Sequence, residues 1–230
     1  MIRVSIWASA GALLTVLSGL PATAQTNQFW PEVDTYAKLG SNTRFRFQVK
    51  QTREGGQTNQ FQFGPSFEFY VKPLVELRDL SELPANEAQS RFLLLSVGYL
   101  YFPERNSAAE NRVELIATPS YPLKWQLVLS DRNRVELRFV NGNFFWRYRN
   151  RLGVQRVFKL HSYRFTPYAR CEVYWDSQYH KWYDTAVSAG TKLPIAKKVE
   201  LDTYYQHQNQ TNNVPNRQVN SLGLILNVFF

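Results

Sequence analysis

The last ten residues, 221–230, read SLGLILNVFF and constrain the chain more than any other stretch. A strand turns successive side chains to opposite faces. Leu222, Leu224, Leu226, Val228 and Phe230 therefore form one apolar stripe, while Gly223, Ile225, Asn227 and Phe229 share the other face. Such a stripe needs lipid or a protein core against it, so the chain is either a membrane barrel or a secreted sandwich ending on an apolar strand.

The amino terminus narrows the choice. Arg3 supplies a positive start, residues 4–20 an apolar middle, and Ala22-Thr23-Ala24 a small-residue cleavage site, so residues 1–24 are expected to be a cleaved secretory signal peptide and 25–230 the mature domain. No other stretch approaches the run of about 18 apolar residues that a membrane helix requires; any crossing must use strands. The formal net charge of +9, one less without Arg3, points in an exported protein to anionic lipid head groups, phosphates or small anions before nucleic acid. Cys171 is the only cysteine, which excludes an intrachain disulfide. It shares an apolar strand face with Ala169, Val173 and Trp175, where it reads as a small buried hydrophobe rather than a nucleophile.

From Trp30 onward the period is two nearly everywhere, which predicts an all-β chain. Phe45, Phe47 and Val49 oppose Arg44, Arg46, Gln48 and Lys50; Phe61, Phe63, Phe67 and Phe69 oppose Gln62, Gly64, Ser66 and Glu68. Asn141-Gly142-Asn143 marks the turn of a long hairpin, because Gly and Asn accept positive φ. The segments count to about eleven. Bacterial single-chain barrels use even numbers, so about twelve strands are expected (ten to twelve), residues 74–80 being the best candidate for the missing one. Counting back from the carboxyl end puts the turns at 120–124 and 194–197 on the periplasmic side, and those at 141–144, 177–181 and 208–218 outside.

Alternation does not say which face points inward: a soluble barrel buries its apolar face and a membrane barrel shows that face to lipid. The density of charge on the polar faces, the signal sequence, and Trp30, Tyr101, Trp146, Trp175, Trp182 and Tyr183 near strand ends, as in an interfacial girdle, all favour the membrane. Leu226, Val228 and Phe230 also resemble the terminal signal that the barrel assembly machinery reads in outer-membrane proteins. The expected fold is thus a closed antiparallel transmembrane β-barrel in the outer membrane of a Gram-negative bacterium. Its expected partners are outer-membrane lipid, lipopolysaccharide and, during biogenesis, that machinery; the sequence sets no oligomeric state. The segments Phe29-Trp30-Pro31-Glu32-Val33-Asp34, Glu110-Asn111-Arg112, 130–138 and 146–151, with the closing strand, resemble an uncharacterised outer-membrane family, the domain of unknown function 2490. The resemblance spans nearly the whole mature chain and implies a barrel without implying a reaction, ligand or catalytic residue.

Chemistry concentrates in the hairpin. Arg132, Arg134, Glu136 and Arg138 share one strand face and Arg147, Arg149 and Arg151 another, with Arg112 and Glu114 on one neighbour and Arg170, Glu172 and Asp176 on the other. A turn centred near Gly142 would set Glu136 opposite Arg149 and Arg134 opposite Arg151, within about two residues. The leading reading is structural: guanidinium and carboxylate groups interdigitate to fill a narrow lumen and satisfy one another's hydrogen bonds. The alternatives are a narrow anion-preferring channel or a binder of anions or lipid head groups, and then a surface lipid hydrolase. The histidines weigh against the hydrolase. His161 and Ser162 are adjacent and would point to opposite faces, and neither His180 nor His207 has a serine at the His-x-Ser spacing of lipid-hydrolysing barrels. No metal-ligand spacing or cofactor fingerprint is present, and basic residues alternate with acids instead of forming a nucleic-acid surface.

Overall fold

The computed structural model describes residues 25–71, 93–103, 108–161, 163–212 and 216–230. Its strands are β1 (Gln25–Lys38), β2 (Thr43–Glu54), β3 (Gln57–Val71), β4 (Leu93–Phe102), β5 (Glu110–Leu123), β6 (Leu127–Val140), β7 (Asn143–Arg156), β8 (Phe158–Leu160), β9 (Tyr163–Asp176), β10 (Lys181–Ala196), β11 (Val199–Gln210) and β12 (Arg217–Phe229). Each long strand pairs with its successor and β12 returns to β1, closing a barrel. β8 pairs only with β9, from Phe158↔Phe165 to Leu160↔Tyr163, and continues the line of β7 past Val157. It lengthens one stave without adding another, so the cylinder has eleven strands and one short extension.

Eleven lies inside the expected range, but the expectation of an even count is corrected. Neighbouring strands around the cylinder alternate in direction, so an eleventh strand must run the same way as the first. The closing seam is accordingly parallel, from Gln25↔Gln218 to Tyr36↔Phe229, and the two ends of the domain sit at opposite rims. The turns at 39–42, 124–126 and 197–198 lie at the Phe230 rim; those at 55–56, 141–142 and 177–180 lie at the Gln25 rim. This is the same two-way division of turns that counting back from the carboxyl end gives. Residues 74–80 and the expected leader, 1–24, fall outside the described residues.

The polarity of the barrel is the reverse of a soluble domain's. Side chains buried in the wall and interior include Glu32, Asp34, Glu68, Glu110, Glu114, Glu136, Glu172, Asp176, Asp184 and Asp202, whereas Val33, Phe47, Phe67, Phe69, Leu95, Val97, Leu115, Leu222 and Leu224 are exposed on the outside. At about 4.8 Å between strands and a tilt of about 40°, eleven strands enclose a backbone cylinder roughly 22 Å across. A 14-residue strand such as β1 then rises roughly 35 Å along the axis, slightly more than the hydrocarbon thickness of a bilayer.

Two glycines let aromatic rings lie flat on the inner wall. The Tyr204 ring occupies the space that a Cβ on Gly223 would need, and Tyr168 does the same at Gly190. Phe229 stacks on Tyr36 across the parallel seam, with centroids 5.0 Å apart.

Three sequence expectations are corrected here. Trp30 lies on the even-numbered charged face of β1, which turns inward; its indole N–H donates to Gln28 Oε1 at 2.9 Å, and Lys50 Nζ sits 4.5 Å from its ring. Tyr183 is buried because the pairing of β9 with β10 shifts between Trp182 and Asp184, a bulge that turns both Tyr183 and Asp184 inward. Trp146, Trp175 and Trp182 keep to the outer face, the first two with centroids 4.4 Å apart. Cys171 does lie on the apolar face, but that face points out, so the thiol is exposed and not buried.

Candidate functional site

The β6–β7 hairpin turns through Asn141 and Gly142 alone, both at positive φ (49° and 79°), and pairs Val140 with Asn143. This two-residue turn is centred one position earlier in total than the expected one, and the register moves with it. Glu136 faces Arg147, Arg134 faces Arg149, and Arg132 faces Arg151. The expected Glu136–Arg149 contact exists nonetheless as a diagonal, Arg149 Nη1 donating to Glu136 Oε1 at 3.0 Å, because guanidinium groups span the offset between neighbouring pairs.

Glu136 is fully buried, 0% exposed, at the centre of four arginines. Oε1 accepts from Arg134 Nη1 at 3.2 Å as well as from Arg149, while Oε2 lies 3.7 Å from Arg112 Nη1 and 3.6 Å from Arg147 Nη1. Four further carboxylates extend the lattice. Glu114 accepts from Arg134 at 2.8 Å. Glu110 takes a two-pronged contact from Arg138, at 2.8 and 2.9 Å, and Arg112 Nε at 2.8 Å. Asp176 accepts from Arg138 Nη1 at 3.0 Å and Arg147 Nε at 2.9 Å. Glu172 accepts from Arg149 Nε at 3.0 Å, Arg151 Nε at 3.1 Å and the Tyr174 hydroxyl at 3.0 Å. Rings cover the remaining guanidinium faces: Phe102 lies 4.2 Å from Arg112, Tyr174 4.3 Å from Arg149 and Tyr168 3.7 Å from Arg170.

A cavity of about 730 Å³ runs through the interior. All eight arginines of this sector line it, whereas of the sector's five carboxylates only Glu114 does; Glu110, Glu136, Glu172 and Asp176 lie against the wall with arginine side chains arching over them. The facing wall, from β10 through β12 to β3, is arranged the other way. Glu32, Asp34, Glu68, Asp184, Glu200 and Asp202 all reach the cavity, against Arg44, Arg46, Lys50 and Lys192. Of the ion pairs there, Arg46–Asp34 and Lys50–Glu32 are long at 3.6 Å, while Arg44–Glu68 at 2.5 Å and, near the rim, Arg217–Glu54 at 2.8 Å are close. Neutral donors do much of the work: Tyr36 on Asp34 at 3.2 Å, Tyr168 on Asp202 at 2.6 Å, and Gln208 on Asp184.

Every arginine and glutamate singled out from the sequence thus faces the interior, although Arg132 and Arg170 make no ion pair among the described residues. The sequence reasoning missed Glu110 as a member of the lattice, along with the acid-lined facing wall. Extending the period of two by one step before Arg112 finds Glu110 on the same face. The facing wall carried a signal in the alternating charges of β1 and β2, but its acids come from elements far apart in the chain.

The histidines are dispersed. His161 and His180 occupy turns at positive φ, and His207 faces outward with Nδ1 2.8 Å from Asn220 Oδ1. No group of three or more potential metal-ligating side chains occurs among the described residues.

A closed barrel with a charged interior and an apolar exterior defines the class. Within it, the chain belongs to the family described as protein of unknown function, DUF2490, whose model matches residues 27–219. No curated protein and no solved structure matches it.

Proposed function

We propose that this protein is an integral β-barrel of the Gram-negative outer membrane, with a structural role and a narrow lumen braced by its own charge lattice. One observation carries the reading: the inverted polarity, with buried carboxylates and arginines inside and Phe, Leu and Val outside. In water that exterior would be a large exposed apolar surface, whereas in a bilayer it is the favourable face, and closure leaves no unpaired strand edge in lipid. Residues 1–24 would serve as the export signal, and Leu226, Val228 and Phe230 as the signal for the assembly machinery. Phe230 is 72% exposed at its rim, free to be read. In this orientation the Phe230 rim faces the periplasm, and the Trp146, Trp175 and Trp182 cluster meets the outer leaflet and its lipopolysaccharide.

A second reading, a narrow anion-preferring passage, is favoured by the cavity itself. It is bounded by Gln28, Thr52 and Gln210 near one rim and by Ser120, Glu200 and Asn227 near the other. Planar-bilayer recording separates the two: the structural reading expects poor conductance, and stable anion-selective current reduced by neutralising Arg149 and Arg151 would overturn it.

The membrane reading is tested by fractionation with heat-modifiable gel migration. A detergent-resistant, heat-modifiable membrane protein is expected; a monomer freely soluble in the periplasm would sink the proposal. Deleting Phe230 or making Phe230→Asp should block assembly while leaving synthesis nearly unchanged, and normal surface exposure of either variant would remove the role assigned to the terminal strand.

A further inference from the structure

We infer that Arg132, Arg151 and Arg170 form an oxyanion site on the lumen wall, with the chemistry of a phosphate group as its ligand. The inference rests on the polar-lumen barrel proposed above. Arg132 and Arg151 are direct cross-strand partners. Arg170 lies opposite Gly153, the next inward position after Arg151 on β7. Gly153 has no side chain to fill the wall, and Arg170 takes the space: its Cγ lies 3.4 Å from the position of a Cβ on Gly153, with Ser130 Oγ on the other side at 2.9 Å. Three strands therefore deliver three guanidinium groups to one stretch of the cavity surface.

These three are the least neutralised of the eight arginines that line the cavity in this sector. Among the described residues Arg132 makes no hydrogen bond or ion pair, and Arg170 makes only its stacking contact with Tyr168. Arg151 is paired, but its partner Glu172 is shared with Arg149 and Tyr174. Asp202, two staves away on β11, already accepts from Tyr168. Next to the cluster, Arg134 Nε is buried with no hydrogen-bond partner among the described residues, a donor that the lattice leaves unused. Five donors per guanidinium, with only Glu172 and Glu114 as neighbouring carboxylates and both already bonded to other arginines, leave a local excess of donors and of positive charge. A tetrahedral oxyanion with two negative charges and oxygens in several directions answers that excess; a carboxylate, planar and singly charged, reaches fewer of the forks.

The test is thermal unfolding of the purified full barrel in zwitterionic micelles, titrated with inorganic phosphate against sodium chloride at matched ionic strength. The wild type should gain unfolding temperature saturably with phosphate. Arg132→Gln and Arg170→Gln should each shift the titration midpoint about tenfold or more, the loss expected when a charge-assisted contact is removed. Without phosphate both variants should be at least as stable as the wild type, because each removes like-charge repulsion; a purely structural role predicts the opposite. Arg170→Lys, which keeps the charge and loses the fork, should fold like the wild type and bind between it and Arg170→Gln. A parallel arm replaces phosphate by phosphatidylglycerol in mixed micelles. Stabilisation by inorganic phosphate assigns a free anion, and stabilisation by phosphatidylglycerol alone, lost in both glutamine variants, assigns a lipid head group. A shift that chloride reproduces, equal shifts in wild type and variants, or no shift in either arm would overturn the site. Heat-modifiable migration of the same samples shows separately whether the barrel itself has formed.

Discussion

The two walls of the lumen solve the burial of charge differently. In the β5–β9 sector the eight cavity-lining arginines outnumber the five carboxylates of the lattice, and most of those acids lie beneath the arginines, each bonded to two or more of them. Among the cavity-lining residues of the facing wall six acids outnumber four cations, and tyrosine and glutamine donors make up the difference. Taking a charge out of water is costly unless it is paired and its hydrogen-bonding capacity is used. Arginine can serve several acids at once, so an excess of arginine builds a continuous lattice; an excess of carboxylate has no comparable way to link with itself and depends on separate neutral donors. A deletion should therefore spread through the first wall and stay local in the second.

The largest effect should come from the centre of the arginine sector. Glu136→Gln keeps the side chain's volume but leaves Arg112, Arg134, Arg147 and Arg149 facing one another, and breaking such a buried network is expected to cost about 3–5 kcal/mol in urea unfolding from lipid vesicles. A loss under about 1 kcal/mol would mean that lumen water screens the pair, and the distinction between the walls would collapse. Next in size is Gly223→Ala, where the added methyl meets the Tyr204 ring; an aromatic ring on a closely packed wall yields little, so about 1–3 kcal/mol is expected. Asp202→Asn should cost about 1 kcal/mol, since the amide oxygen still accepts from Tyr168. A penalty matching that of Glu136→Gln would show the acidic wall to be a lattice too. Smallest should be Gly153→Ala. Its neighbours, Ser130 Oγ and Arg170 Cγ, belong to side chains that can move, and the lower chain entropy of alanine offsets the crowding, leaving a change within about 0.5 kcal/mol.

Much of the arginine sector was legible in the sequence because a strand's period of two is local. Arg132, Arg134, Glu136 and Arg138 could be placed on one face, and Arg147, Arg149 and Arg151 on another, without knowing what lay opposite. The details that went astray depend on single-residue geometry. One residue's difference in the β6–β7 turn moved every cross-strand pair by two positions in total, and a bulge after Trp182 sent Tyr183 inward with Asp184.

What the sequence determined by itself is the separation of each strand into an apolar and a charged face, and with it the all-β class, since alternation needs nothing beyond the neighbouring residues. The closure of eleven staves through a parallel seam between β1 and β12, and the placing of Asp184 and Asp202 two staves from Arg149 and Arg170, belong to the tertiary structure alone. Those outcomes depend on closure, where the count and tilt of all strands must be satisfied together, and no local pattern carries that information.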